Sequence, residues 1–371
     1  MKRMAQLKRM VFLAVLLALL TIVEGSAQRL VDNATGTPLP MASITDCRGN
    51  VVGMTNQEGI IPSISADRFP VTCSYIGYRS LELRQPVTDD VGMTPLVYEL
   101  SDVVVRPQDR PMLHVTAYVR EVSSLFGSSD SVTVFAERIV DYMLPVGKTR
   151  FKGWVFPRKL ATKAYTRMTN AEGRDSVCRG VEGDAMLWSN TAAVLFSSFY
   201  FPASMNNSDV VSAVDTVMGK YAPKFIWQKS GGVVRCFADA LADSKEHVFS
   251  PKFFKLLGFT TDITDMTRNY VFHVGDGNPS LTDMTSMSIS MDMRLRGKMY
   301  KKFANSSEPI IDKSYIEVYF TDYEYLSVEE AKKLKKERPV VSEADVIAPP
   351  GVPELHPGVR QIVERVEALE N

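Results

Sequence analysis

The stretch "MTSMSISMDMRLRG", residues 284–297, decides how the larger part of this chain is built. Met287, Ile289, Met291, Met293 and Leu295 alternate with Ser288, Ser290, Asp292, Arg294 and Arg296. Apolar residues at every second position mark a strand with one apolar and one polar face. A one-residue slip would bury Asp292 and Arg294, so the register is strongly specified. The apolar face is expected to meet Ile316, Val318 and Phe320. The serines and charges are expected to point outward or across to polar neighbours. Three readings of the methionines are open: plain core, the wall of an apolar pocket, or a metal site. Alternate residues on a strand face stand about 7 Å apart, too far for three of them to hold one ion. A copper site would also want His or Cys nearby, and the stretch has neither. Methionine is adaptable and common at permissive binding surfaces, so Met287, Met291 and Met293 stand as candidate ligand-binding residues.

Further strands surround this one. "MLHVTAYVREV" (112–122), "SVTVFAERIVDYML" (131–144), "KLATKAYTRMT" (159–169), "SVCRGVEG" (176–183), "VVRCFADAL" (233–241), "TRNYVFHVGDG" (267–277) and "SYIEVYFTDYEYL" (314–326) all carry strand patterning. Two segments read as helices instead. "MNNSDVVSAVDTVMGKYAPK" (205–224) has Val210, Val211, Val214, Val217 and Met218 at helical spacing behind Ser208. "SPKFFKLLGF" (250–259) has Pro251 at its start and Gly258 as a stop. Residues 112–325 are therefore expected to form a β-rich domain, mostly antiparallel, with a few helices. A half-barrel like that of periplasmic lipoprotein carriers is one analogy for such a sheet.

Residues 28–106 read as a separate module of short strands at roughly ten-residue spacing, the pattern of a small β-sandwich. Turn signals "CRGN" (47–50) and "NQEG" (56–59) separate the strands. Gly77, between Ile76 and Tyr78, reads as a close backbone approach, and Tyr78 as a packed ring with a bonded hydroxyl. The segments "TGTPLPMASI" (35–44), "TNQEG" (55–59), "SYIGYRS" (74–80) and the exit "LSDVVVRP" (100–107) resemble the carboxypeptidase regulatory-like domain of exported Bacteroidota proteins. The likeness covers about 80 residues. It departs at Asn56, where the family favours an acidic residue, and at Ile60 and Ile61, where it favours an aromatic. The resemblance implies a transthyretin-like sandwich of seven strands without catalytic groups. In large relatives the module precedes an outer-membrane transporter. A barrel of 22 strands takes about 10 residues per strand before loops or plug are counted, and the 266 residues beyond Val105 are not expected to hold one.

Residues 1–27 have the layout of a signal peptide. Lys2, Arg3, Lys8 and Arg9 precede the apolar run 10–23, and Gly25 and Ala27 place cleavage before Gln28. No later stretch is long and apolar enough to span a bilayer as a helix. The mature chain is thus expected in the periplasm or at the outer-membrane periphery. Lys plus Arg and Asp plus Glu each number 43, so no basic excess points to nucleic acid. Export permits disulfides among Cys47, Cys73, Cys178 and Cys236. In-domain pairing (Cys47 with Cys73, Cys178 with Cys236) and buried free thiols are both open.

Residues 326–371 form a tail. Ser327 and Glu330 make a capping box for "VEEAKKLKKER". Next comes a linker with five prolines, 339–357. Val359, Ile362, Val363, Val366 and Leu369 then give an amphipathic helix begun by Pro357, to dock on the body or on a partner.

Catalytic patterns are scarce. His114, His247, His273 and His356 stand in no zinc-peptidase motif, no nucleophile elbow is present, and no glycine-rich phosphate loop implies a cofactor. Asp262, Asp265, Asp276 and Asp283 cluster in sequence, but turn chemistry explains aspartates in loops. The expected function is a non-catalytic binding or scaffolding protein of the cell envelope, with an envelope protein or an apolar ligand as its partner. The alternatives are a periplasmic carrier of an apolar ligand and an envelope hydrolase.

Overall fold

The computed structural model describes residues 28–96, 109–127, 131–154, 157–169, 175–179, 205, 212–252, 255, 258–274, 278–297, 308–337 and 346–369. The proposed leader, the exit segment 100–107, Ser208, Val210, Val211 and Asp276 lie outside them.

The chain is mainly β. In the first part, β1 (Leu30–Asp32), β2 (Ser43–Asp46), β3 (Val51–Met54), β4 (Val71–Ser74), β5 (Leu81–Leu83) and β6 (Val91–Met93) form two small sheets. The order is β3-β2-β4-β5 in one, and β1 pairs with β6 in the other. Leu30, Ile44, Val71, Cys73, Tyr78 and Met93 share a buried core. The turns form where the sequence places them. Asp46 Oδ1 accepts from the Arg48 and Asn50 amides, and Gly49 takes φ +86°. Asn56 Oδ1 accepts from the Glu58 and Ile60 amides, and Gly59 takes φ +75°. The amide of Asn56 thereby provides the acceptor that an acidic residue would. The Tyr78 hydroxyl donates to buried Asp32, 2.6 Å away.

The second part is a ten-stranded antiparallel sheet. Its strands are β7 (Met112–Phe126), β8 (Ser131–Pro145), β9 (Arg158–Thr169), β10 (Asp175–Arg179), β11 (Ser212–Met218), β12 (Pro223–Ser230), β13 (Val233–Asp239), β14 (Phe259–His273), β15 (Met284–Gly297) and β16 (Ile310–Leu326). The spatial order is β10-β9-β8-β7-β16-β15-β14-β13-β12-β11. Two meanders therefore meet at a central seam, where β7 pairs with β16.

Residues 284–297 form β15 with the expected parity. Met287 pairs with Val318 and Ile289 with Ile316. Met287, Ile289, Met291, Met293 and Leu295 are all buried. This methionine face holds two apolar clusters. One contains Met287, Tyr270, Val119 and Phe320; the other contains Met291, Met293, Leu125 and Val134. A polar belt of Glu121, Ser123, Arg138 and Ser314 crosses the face, and every member is buried.

The serine face departs from expectation, because Ser288 and Ser290 are 0% and 1% exposed. Two elements far away in sequence cover it. The N-terminal module docks first. Ser124 Oγ accepts from the Val51 amide, Thr133 donates to Asn50, and the Tyr75 hydroxyl donates to Asn269 at 2.9 Å. Gly77 packs so closely that a Cβ there would lie 3.0 Å from Val271 Cγ2. The tail covers the rest. Ser327 caps α1 (Val328–Lys336) in a capping box with Glu330. The last helix, α2 (Pro357–Glu367), buries Val359, Ile362 and Val366 against Phe135 and Tyr165. Arg120 donates to the Pro353 carbonyl, and Arg365 pairs with Asp175. Leu369 stays 70% exposed.

The segment 205–224 corrects the helical reading. Residues 212–218 form β11, an edge strand paired with β12. A valine-rich run satisfies both periods when it is short, and pairing with β12 decides for the strand. Of the segment 250–259, Gly258 takes φ +79° and Phe259 begins β14. Cys47, Cys73 and Cys236 are free thiols, so neither in-domain pairing forms. Burial pushes the Cys73 thiol up to about 12, which makes it an inert core residue. No described helix is long and apolar enough to cross a membrane.

Glycine 358 tests the docking of α2. A Cβ there would lie 2.4 Å from the Gly49 backbone nitrogen and 2.9 Å from the Asp46 carbonyl oxygen. Gly358→Val is expected to lift the helix off the module, at about 1–3 kcal/mol. Hydrogen exchange of the α2 amides should quicken at least tenfold, and unchanged protection would refute the packing.

Candidate functional site

Four strands meet across one edge of the methionine face, and their register sets a row of side chains. Val217 of β11 pairs with Phe225 of β12, Phe225 with Ala238 of β13, and Ala238 with Arg268 of β14. Directly paired residues point to the same face. This row, with Tyr270 one step along β14, walls a cavity of about 700 Å³. Met218, Lys220 and Lys224 also line it. Met218 is 62% exposed, whereas Arg268 is only 5% exposed. The cavity thus has a buried cation at its inner end, apolar side chains along the wall and lysines at the edge of the sheet. Burial pushes the Tyr270 phenol up, and the Arg268 charge partly pulls it back.

The three candidate methionines do not share one site. Met287 pairs with Tyr270 and so stands one strand behind the cavity wall. Met291 and Met293 belong to the second cluster. None of the three lines the cavity. Among the described residues, no group of three or more His, Cys, Asp or Glu is placed to hold a metal ion.

Two histidines face carboxylates. His114 Nε2 lies 3.0 Å from Asp141, which the Arg158 guanidinium also grips. His247 Nε2 lies 2.7 Å from Asp239, which also accepts from the Leu241 amide and from Gln57. Among the described residues neither of these two imidazoles hydrogen-bonds a serine, threonine or cysteine side chain. Burial alone would lower His247, but its bond to Asp239 and the charges of Asp239 and Asp265 raise it. His273 falls on the serine face, opposite Arg268 and Tyr270. His356 caps α2 through Nδ1, which accepts from the Gly358 amide at 2.8 Å. Burial lowers it to about 4, so the neutral cap persists at ordinary pH.

The aspartates also scatter. Asp262 accepts from Ser250, and Asp283 closes a capping box with Ser280. Asp265 lies opposite Asp292 across β14 and β15. Burial, then the charges of Asp292 and Asp239, push its carboxyl up to about 7. Lys313 bonds Asp292 and offsets part of this repulsion.

The sequence signal for this region is the strand "TRNYVFHVGDG", which carries Arg268 and Tyr270. Lys220, Lys224 and Phe225 give none, since the helical reading of 205–224 hides the edge of the sheet.

No family model matches the chain, and no curated protein matches it. Among solved structures it is similar to one titled "Lipid-protein interactions in lipovitellin", with 8% identity and a TM-score of 0.29. The match covers 59% of this chain and 26% of that one, so the chain spans about a quarter of the length of lipovitellin. A likeness this low carries no argument about fold or function.

Proposed function

We propose that this is an exported, non-catalytic binding protein of a Gram-negative cell envelope, whose ten-stranded sheet takes a small apolar ligand. The cavity walled by Val217, Phe225, Ala238 and Tyr270 carries the reading. Its volume falls within the roughly 300–1,000 Å³ of small-molecule sites, and an apolar wall with a few charged groups is their usual make-up. The signal-like residues 1–27 support export. The likeness of residues 28–106 to the carboxypeptidase regulatory-like domain supports an envelope setting in Bacteroidota. That module serves as an adaptor fixed to the serine face, leaving the β11–β14 edge of the methionine face to the ligand.

The test uses the folded full-length mature chain and the neutral fluorescent probe N-phenyl-1-naphthylamine. One saturable site per chain is expected. Ala238→Trp fills the cavity and should weaken binding at least tenfold while the thermal melt stays cooperative. Absence of saturable binding, or binding untouched by Ala238→Trp, would refute the reading.

A further inference from the structure

Two segments far apart in the chain build one basic patch on the surface. The loop between β8 and β9, residues 146–154, carries Lys148, Arg150 and Lys152 and no acidic residue. α1 carries Lys332, Lys335 and Lys336, spaced three and four apart so that they share one face of the helix. Phe151, Trp154 and Leu334 pack around buried Ala331 and hold the loop against the helix. Lys335 Nζ stands 5.8 Å from the centre of the Phe151 ring. Arg158 of β9 donates to the Leu334 and Glu337 carbonyls and ties down the end of α1. All six cations of the patch are exposed. The nearby carboxylates are engaged elsewhere or stand at the far end. Glu330 closes the capping box with Ser327 and pairs with Arg110, and Glu337 pairs with Lys333. Glu329 lies in the first turn of α1. Basic and acidic residues number 43 each over the whole chain, so the patch is a local asymmetry.

We infer that this patch seats the protein on a membrane surface that bears anionic phospholipid headgroups. The patch is separate from the cavity, and the inference does not rest on an apolar ligand there. The helix dipole accounts for cations in the last turn of α1, but not for three more in a loop. Five of the six cations are lysines, and protein–protein interfaces are depleted in lysine and enriched in arginine. Such interfaces also centre on a large anchoring side chain. Among the described residues, the exposed large apolar side chains are Val214, Met218, Tyr221, Phe249, Ile347 and Leu369, and none belongs to the loop or to α1. Lysines on flexible stems suit a sheet of mobile anionic headgroups, where each cation near the surface adds its own attraction without a fixed partner.

Flotation of the folded mature chain with vesicles tests this. Vesicles of mixed phosphatidylcholine and phosphatidylglycerol are expected to carry the chain, and vesicles of phosphatidylcholine alone to leave it behind. Raising NaCl from about 0.05 M to about 0.5 M should weaken the binding at least tenfold, because salt screens exposed charges. Lys148→Gln/Arg150→Gln/Lys152→Gln should also weaken it at least tenfold with an unchanged thermal melt. Lys245→Gln/Lys252→Gln/Lys255→Gln removes the same charge from another exposed region and should bind like the wild type. If the loop variant melts early, Lys332→Gln/Lys336→Gln on the exposed face of α1 takes its place. Equal binding to neutral vesicles, or equal losses in the patch and control variants, would overturn the inference. Failure to bind anionic vesicles would overturn it as well, and capture on polyglutamate in that case would assign the patch to an acidic protein.

Discussion

Truncation of Arg138 to alanine is expected to cost the fold about 3–5 kcal/mol, the usual penalty for orphaning one member of a buried ion pair. The Arg138 and Glu121 side chains are 1% and 0% exposed, with nitrogen and oxygen 3.4 Å apart. Both lie on the methionine face, within the polar belt that divides its two apolar clusters. Ser123 also donates to Glu121, at 3.3 Å, and a neutral hydroxyl does not replace the lost charge. A buried carboxylate without its cation must either take up a proton or draw water into the core. The double variant Arg138→Met/Glu121→Leu should recover most of the loss, because the pair itself adds little beyond a packed apolar substitute. Urea unfolding of the two single variants and the double variant measures the coupling. Additive losses in the double variant would show that the two side chains do not act as a pair.

A second large effect concerns pH. Asp265 titrates near 7 in the folded chain and near 3.9 when unfolded. Between these values the folded state holds a proton that the unfolded state has released. Its contribution to stability is therefore full below about pH 4, falls as pH rises toward 7, and is gone above that. Within this window each pH unit weakens the fold by up to about 1.4 kcal/mol through this one group. Asp292, Asp239, His247 and Lys313 are the charged groups that face it, and none is altered in Asp265→Asn. That variant keeps the shape and cannot ionise. It should match the wild type near pH 4.5 and exceed its stability by about 2–3 kcal/mol at pH 8. A difference that stays flat from pH 4.5 to 8 would show that the carboxyl is not perturbed by its surroundings.

Much of the sheet is legible in the sequence because its information is local. The alternation in 284–297 settles which residues of β15 share a face, and the alternation in 112–122 does the same for β7. What covers each face is not legible. Ser288 and Ser290 read as outward because a serine on a strand is compatible with either water or a tight interface. Only the approach of Tyr75, Gly77 and α2 decides, and those lie tens to hundreds of residues away. β11 reads as a helix because seven residues with valines at 214 and 217 fit either period, and only β12 settles the matter. The cavity escapes notice for a related reason. Val217, Phe225, Ala238 and Arg268 become neighbours through three successive strand registers, and no spacing in the chain announces that. The same holds for Asp265, whose perturbation comes in part from a cross-strand carboxylate.

The central seam has a kinetic consequence. Ser123 of β7 and Ser314 of β16 touch across it at 2.8 Å although 191 residues separate them. The β7–β8 hairpin closes over only a few residues. Loop closure over the longer span costs on the order of 3 kcal/mol more in chain entropy. Each meander can zip up from its own hairpins, but the two halves join only when the last strand has been made. A ribosome delivers β7 first. Until residues 310–326 emerge, a 15-residue strand keeps one edge unsatisfied, and such an edge will pair with whatever strand it meets. The expected consequence is slow folding, set by where β16 lies in the chain order of the strands and independent of how stable the finished sheet is.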